Sequence, residues 1–559
     1  MKYINLLALL VLMSACSSDS NTSKSNTQND PDAETELLAS LNFPTEINEG
    51  TSGQLRATED GITYNKEAIV PPQCYTKHEA KHNPCMACHQ THPFGSSTNY
   101  MADGVLQAEY AFSDVGVTNH WKNLFEDKTE KVGQISDQEV IDYINTDNYT
   151  PLIEQLEASS DWEGPIPKLV NLQQGADAFD DEGIAKDGSY WVAFNYKPQP
   201  STFWPTNGST DDVMVRLPEE FRAAAESCTN DTSAYSRDTY LANLAIMEAA
   251  IKNLDSVSLP QVDERVFCTD LNNDGHLGVI YEIDRPAFYV GQASDVAVVP
   301  MLYPEGVQFL HTVRYVGVSA DGDIGVSPRM KEVRYMRKFK LFDEPDLISM
   351  YGNERQEKID EILPKYINRG DHGLDNSFGW MILGFIENAD GSMRRQSYEE
   401  HNFCMGCHTS IGSTIDQTFA FPRKVTGSEG WGYINLKGMK DAPVMGDTEG
   451  EILDYLKRVG GGDEFRENGE MLEKWFNEDG TVKEEEVVAA DVYELLTPSV
   501  RRALDLNKAY MTIVADQDFI HGRDANITPV TNVYKEVDPD TAPTLPADKQ
   551  RMKDIRLQW

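Results

Sequence analysis

The chain is poor in positive charge. Its 559 residues carry 49 Lys and Arg against 91 Asp and Glu, a formal net charge of −42. Nucleic-acid binding needs a basic footprint for the phosphates, so this balance excludes nucleic acid as a partner. The surplus is either a solvated acidic surface or a docking face for a basic partner. Long apolar runs are lacking too. Beyond the first residues nothing approaches the roughly 20 apolar residues that span a bilayer as a helix, so no transmembrane helix is expected in the mature chain. No internal repeat is evident. Cysteine and histidine are scarce, with 8 and 11 residues, and their placement is therefore informative.

What is present starts with a targeting segment. Lys2 is followed by a mostly apolar stretch from Ile4 to Met13, then Ser14-Ala15 and Cys16. A positive start, a short apolar run and small residues are what a signal peptide needs. Leu12-Met13-Ser14-Ala15-Cys16 resembles the lipobox of bacterial lipoproteins. The resemblance implies a signal peptide over 1–15, cleavage before Cys16 and acylation there, which would anchor the chain to a lipid bilayer. Ser17 at the next position implies the outer membrane. An ordinary signal peptide cut nearby is the alternative.

Five of the eight cysteines lie outside the leader and outside the pair Cys228 and Cys268, and four of these form one motif used twice. It reads Cys85-Met86-Ala87-Cys88-His89 and Cys404-Met405-Gly406-Cys407-His408. Cys-x-x-Cys-His is the spacing of c-type haem attachment: two thiols reach two vinyl groups, and the next imidazole reaches the iron. A zinc site built from Cys85, Cys88, Cys404 and Cys407, or a redox dithiol, uses the same residues. With the lipobox, the chain resembles extracytoplasmic dihaem or multihaem cytochrome c lipoproteins. That resemblance implies two covalent haems held by Cys85, Cys88, Cys404 and Cys407, with His89 and His408 on the irons.

The expected fold is mixed α+β, with long ordered loops around the two haems. Residues 16–60 read as a lipidated N-terminus and flexible tether, since a run of Ser, Asn, Thr and Asp buries too little to order itself. A first haem segment follows at 61–130. Next come a mixed α/β body at 131–377, a second haem segment at 378–440 and a mostly helical region at 441–559. Helices are expected from Asp137 to Ile144, from Pro218, over Tyr240–Leu254 with Asp238 and Thr239 as caps, and over Glu449–Gly460, Glu464–Asn477 and Pro498–Val514. The Pro, Gly and Asn density from Asn195 to Asp212 reads as an ordered loop. His311–Val318 and Val333–Leu341, β-branched and aromatic, read as strands around an Asp321-Gly322 turn.

Several further residues are candidates for chemistry. His82 and His401 are the leading distal iron ligands, with Met101 or Met439 as alternatives. Asp270, Asn272, Asp274 and His276 with Glu282 resemble the start of an EF-hand or dockerin calcium loop, although Tyr281 stands at the twelfth position where that loop carries Glu. A plain Asn/Asp/Gly turn is the other reading. Export makes a disulfide expected, with Cys228 and Cys268 the preferred pair and Cys74 left over. Arg329, Lys331, Arg334, Arg337, Lys338 and Lys340 form a basic stretch, and Arg394, Arg395, Arg423 and Lys424 flank the second motif. These are either partners for haem propionates or solvated faces. The expected function is electron transfer with redox proteins of the cell envelope. The alternative is a dihaem oxidoreductase or peroxidase with an open distal iron site.

Overall fold

The β-branched runs on either side of Asp321-Gly322 do form a hairpin, and it is the centre of the molecule. In the computed structural model the described residues are 70–89, 116–200, 203–225, 228, 235–360, 366–408, 411–459, 468–538, 540–546 and 555–559. The chain divides into two units, Met1–Glu46 and Ile47–Trp559, and every described residue belongs to the second. The signal peptide, Cys16, the 16–60 tether, His92 and Met101 lie outside the described residues.

Ten strands occur among the described residues. They are β1 (Val192–Ala193), β2 (Thr210–Arg216), β3 (Ser256–Asp263), β4 (Val279–Asp284), β5 (Gln308–Val318), β6 (Ile324–Lys338), β7 (Ile367–Asn368), β8 (Leu374–Asp375), β9 (Trp380–Glu387) and β10 (Met393–Arg395). Eight form one antiparallel sheet in the order β1-β2-β5-β6-β9-β8-β7, with β10 beside β9. β3 and β4 make a separate hairpin. With helices on both sides of the sheet the fold is mixed α and β, and no described helix is long and apolar enough to cross a membrane.

Sheet register decides what each face meets. Val213, His311 and Arg334 lie side by side across β2, β5 and β6, and Val215, Phe309, Met336 and Ile382 form the neighbouring row. Because side chains alternate along a strand, these two rows share a face. That face packs on the helix Arg237–Ile251, which is buried from Thr239 to Ile251 and belongs to the core rather than to a cofactor wall. The opposite face, with Met214, Leu310, Tyr335 and Leu383, packs on the helix Tyr149–Ala158.

Local signals held where a cap or turn supported them. The helix Asp137–Ile144 begins at Ser136, whose side chain accepts from Glu139 N. The helix Arg237–Ile251 starts earlier than expected, because Ser236 supplies the cap and Asp238 and Thr239 lie inside the first turn. At Pro218 only a 3-10 turn forms, Glu219–Phe221. There the Phe221 carbonyl, which a continuing helix would use, instead accepts from Asn243 Nδ2 at 2.8 Å. The loop expected up to Asp212 gives way to β2 at Thr210. The expected C-terminal helices form at Glu451–Val459, Gly469–Trp475 and Val500–Asp516, and two more, Glu484–Ala489 and Val492–Leu496, lie between the last two.

A disulfide joins Cys228 and Cys268, 40 residues apart in sequence. A loop of that length restricts the unfolded chain by about 4 kcal/mol in the chain-entropy picture. Replacing both with serine should therefore lower the thermal midpoint, which calorimetry would check.

Candidate functional site

The two Cys-x-x-Cys-His segments, more than 300 positions apart in sequence, open onto one cavity. It holds about 1490 Å³ of empty space counted out to its mouth, and Cys88, His89, Cys404, Cys407 and His408 line it. The segments also touch through the backbone, since Ser413 N donates to Cys88 O at 3.1 Å. Trp121 and Phe403 meet edge to face at 5.6 Å in the core cluster that contains Cys85.

Each motif is held by its own local structure. In the first, Cys85–Cys88 is one helical turn, and His89 N donates to Cys85 O at 2.8 Å. Asn83 fixes its entry: Oδ1 accepts from Cys85 N at 3.2 Å and Nδ2 donates to Ala542 O at 3.3 Å. The second motif ends the helix Tyr398–Met405, which starts in a capping box of Ser397 and Glu400. His408 N donates to Cys404 O at 3.0 Å. The His408 ring then turns so that Nδ1 lies 2.8 Å from Gln417 O. A histidine that binds a metal through one nitrogen commonly donates its other N–H to a carbonyl, as this arrangement would allow. Burial lowers the His408 pKa to about 4, so the ring is neutral and its Nε2 lone pair is free of a proton at pH 7.

The thiols discriminate among the readings. Desolvation pushes Cys88 up to about 11 and Cys407 up to about 12. A redox dithiol depends on a depressed thiol pKa, and these shifts run the other way. Among the described residues no three His, Cys, Asp or Glu side chains converge as a metal-binding group. Haem asks for neither arrangement. Its thiols bond to the porphyrin edge, and one imidazole per motif meets the iron. An apolar chamber lined by Cys88 and His89 of the first motif and by Cys404, Cys407 and His408 of the second would suit that group, with Cys85 buried in the neighbouring core cluster.

The structure does not bring the expected distal ligands to the cavity. His401 is buried, and its Nε2 accepts the backbone N–H of Gly384 in β9. His82 lies in a tight turn closed by reciprocal backbone bonds with His78, and its Nδ1 is 3.4 Å from Glu79 Oε2. Met439 belongs to the core cluster around Trp204 and Trp475. Proximity in sequence to a motif was the signal used for the two histidines, and the turn and the helix point both elsewhere. The histidine that does line the cavity is His311 on β5, beside Arg334 and Phe309. Cys74 is also on the wall.

Most of the basic stretch serves the interior. Arg329 pairs with Glu387 and Lys338 with Asp416, both at 2.5 Å, and Lys331 donates to Gly208 O. Beside the second motif, Arg394 pairs with Glu400 and Lys424 with Glu248. Arg334 and Arg423 alone of these cations line the cavity. Arg423 is engaged with Glu451, whereas Arg334 pairs with Glu332 at 2.9 Å and lies over Phe203 and Phe403.

Glu332 makes this wall sensitive to acid. Burial alone would raise its pKa, but the Arg334 and Arg523 guanidiniums outweigh burial and hold it down to about 2 against an ordinary 4.5. A carboxyl depressed on folding stabilises the fold above its unfolded pKa, and that contribution is lost as pH falls through its folded pKa. Folding stability should therefore fall between about pH 4.5 and pH 2, by on the order of 3 kcal/mol from this group, and the thermal midpoint should drop with it. Glu332→Gln should be less stable at pH 7 and show a flatter acid limb in the same melting series.

The Asp270 loop joins β3 and β4 on the surface. Its oxygens accept from backbone N–H groups of the same turn. Asp270 Oδ2 accepts from Gly275 N at 2.7 Å, Asn272 Oδ1 from Asp274 N at 3.2 Å, and Asp274 Oδ1 from His276 N at 2.8 Å. Glu282 lies in β4, opposite Ser258.

Residues 59–494 match the model of a lipoprotein family. A lipoprotein of Aquifex aeolicus (strain VF5), described as uncharacterized, is 30% identical over 522 residues, covering 82% of this chain and 86% of its own length. The chain belongs to this lipoprotein family. No solved structure matches it. The family match includes both Cys-x-x-Cys-His segments of the lipoprotein and the sheet between them. Membership implies attachment to a membrane through a lipid, for which Cys16 is the sequence's candidate.

Proposed function

We propose that this lipoprotein is a dihaem c-type cytochrome that passes electrons between redox proteins of the cell envelope, anchored by acylated Cys16 at the outer membrane. The observation that carries the reading is the convergence of two Cys-x-x-Cys-His segments on one cavity. Attachment adds each thiol S–H across a vinyl double bond, forming a thioether with no change in oxidation state. The bound irons would supply one-electron exchange between ferrous and ferric.

The protein's own residues set the conditions for that exchange. Phe309, Phe403, Phe421 and Ile382 give the chamber apolar walls. His408 is oriented by the Gln417 carbonyl. Arg334 offers a buried positive charge beside the second motif, suited to a carboxylate such as a propionate. With both groups sharing one chamber, an electron entering at one reaches the other without crossing a protein domain. A spectroelectrochemical titration of the holoprotein tests this. Two reversible one-electron steps are expected; a pigment that does not change with potential would refute the carrier role.

A further inference from the structure

We propose that His311 is the distal ligand of the iron held by Cys404, Cys407 and His408. This rests on the haem reading above and assigns a residue that neither motif contains. Of the described histidines, His89, His408 and His311 line the cavity. The first two belong to attachment motifs, which leaves His311 as the imidazole that faces them. Its position is set by the sheet, because pairing with Val213 and Arg334 puts it on the cavity face in the middle of that face. The interior of a paired strand is a stiffer mount than a loop.

Two observations link it to the second motif rather than the first. Cys404 packs in the same core cluster as Val213, Phe309 and Met336, the strand residues around His311, whereas Cys85 belongs to the cluster around Trp121. Arg334, the cross-strand neighbour of His311, lies over Phe403, the residue before Cys404. The surroundings also suit a metal ligand. The Asp211 carboxylate lies 3.3 Å from His311 Nε2, and Phe203 stands edge-on to the ring at 5.4 Å. Nε2 is nevertheless buried and makes no hydrogen bond, a polar ring atom left open on a residue of the cavity wall. His408, by contrast, has Nδ1 held 2.8 Å from Gln417 O. One strand histidine and one motif histidine would thus be available to a single iron.

The test uses the full holoprotein matured with its haems. Electron paramagnetic resonance and near-infrared magnetic circular dichroism of the wild type should show a low-spin haem with two imidazoles. In His311→Gly, one haem of the two should become high-spin and bind cyanide or carbon monoxide. Added imidazole should return it to low spin, which a merely structural role would not produce. His311→Met, closer in size, covers the case in which glycine fails to fold: one midpoint potential should rise while the other stays. Unchanged low-spin signals and potentials, with two haems still present by mass, would overturn the assignment. A chain without haem would instead refute the attachment reading on which it rests.

Discussion

Under the dihaem proposal, replacing Cys404 and Cys407 with alanine should leave one covalent haem of two. Each motif would supply its own thioethers, so the loss should be confined to one site, with haem absorbance per chain halved and a single haem mass on the denatured chain. The remaining group should also change its spectrum. Cys88 and Cys407 line the same chamber, and Ser413, just past the second motif, holds the Cys88 carbonyl. Emptying one half of an apolar chamber admits water beside the other haem, which alters its dielectric surroundings and its potential. Removing both pairs should give a colourless chain. If the first double variant lost both haems or neither, the two motifs would not be separate attachment sites.

Glu248→Ala should be the most damaging single change outside the cysteines. Glu248 is fully buried on the helix Arg237–Ile251, and two buried lysines converge on it. Lys424 Nζ lies 2.7 Å from Oε2 and Lys252 Nζ 3.0 Å from Oε1. The Gly427 N–H also donates to Oε1 at 3.1 Å. Removing the carboxylate leaves two desolvated ammonium groups without their counter-charge, and breaking a buried pair in this way costs about 3–5 kcal/mol. The consequence reaches the site. Lys424 follows Phe421 and Arg423, which form part of the cavity wall, so the segment that Glu248 clamps is also the one that closes the chamber. A lower denaturation midpoint with broadened haem bands is expected, and equilibrium unfolding with absorbance detection would show both. Glu248→Gln should be intermediate, since an amide can still accept from Gly427 but carries no charge.

Sequence patterns were most legible where the signal was local. The helix expected from Asp137 to Ile144 formed with those bounds, and the β-branched runs flanking Asp321-Gly322 marked β5 and β6. The pairing of Cys228 with Cys268 followed from export and from what the motifs left over. The two Cys-x-x-Cys-His motifs were legible for the same reason, because each sits within five positions. What could not be read was anything set by register or by long-range contact. His311 was one histidine in a strand-like run. Only the alignment of β5 with β2 and β6 turns it toward the cavity, and a slip of one position would turn it away. His82 and His401 were favoured for nearness in sequence, but the one is drawn into a turn by His78 and the other onto Gly384. The basic stretch on β6 looked like a surface or a propionate clamp, yet its carboxylate partners Glu387 and Asp416 come from distant segments. An ion pair between distant segments leaves no periodic trace in sequence.

The account stands on covalent haem at both motifs. The most direct measurement is the intact mass of the mature wild-type chain, denatured and stripped of non-covalent ligands after expression with haem-attachment machinery, together with its metal content. The account predicts a chain heavier by two haems, with two irons. A colourless chain at the mass of the bare polypeptide, or one whose thiolates hold zinc, would contradict it.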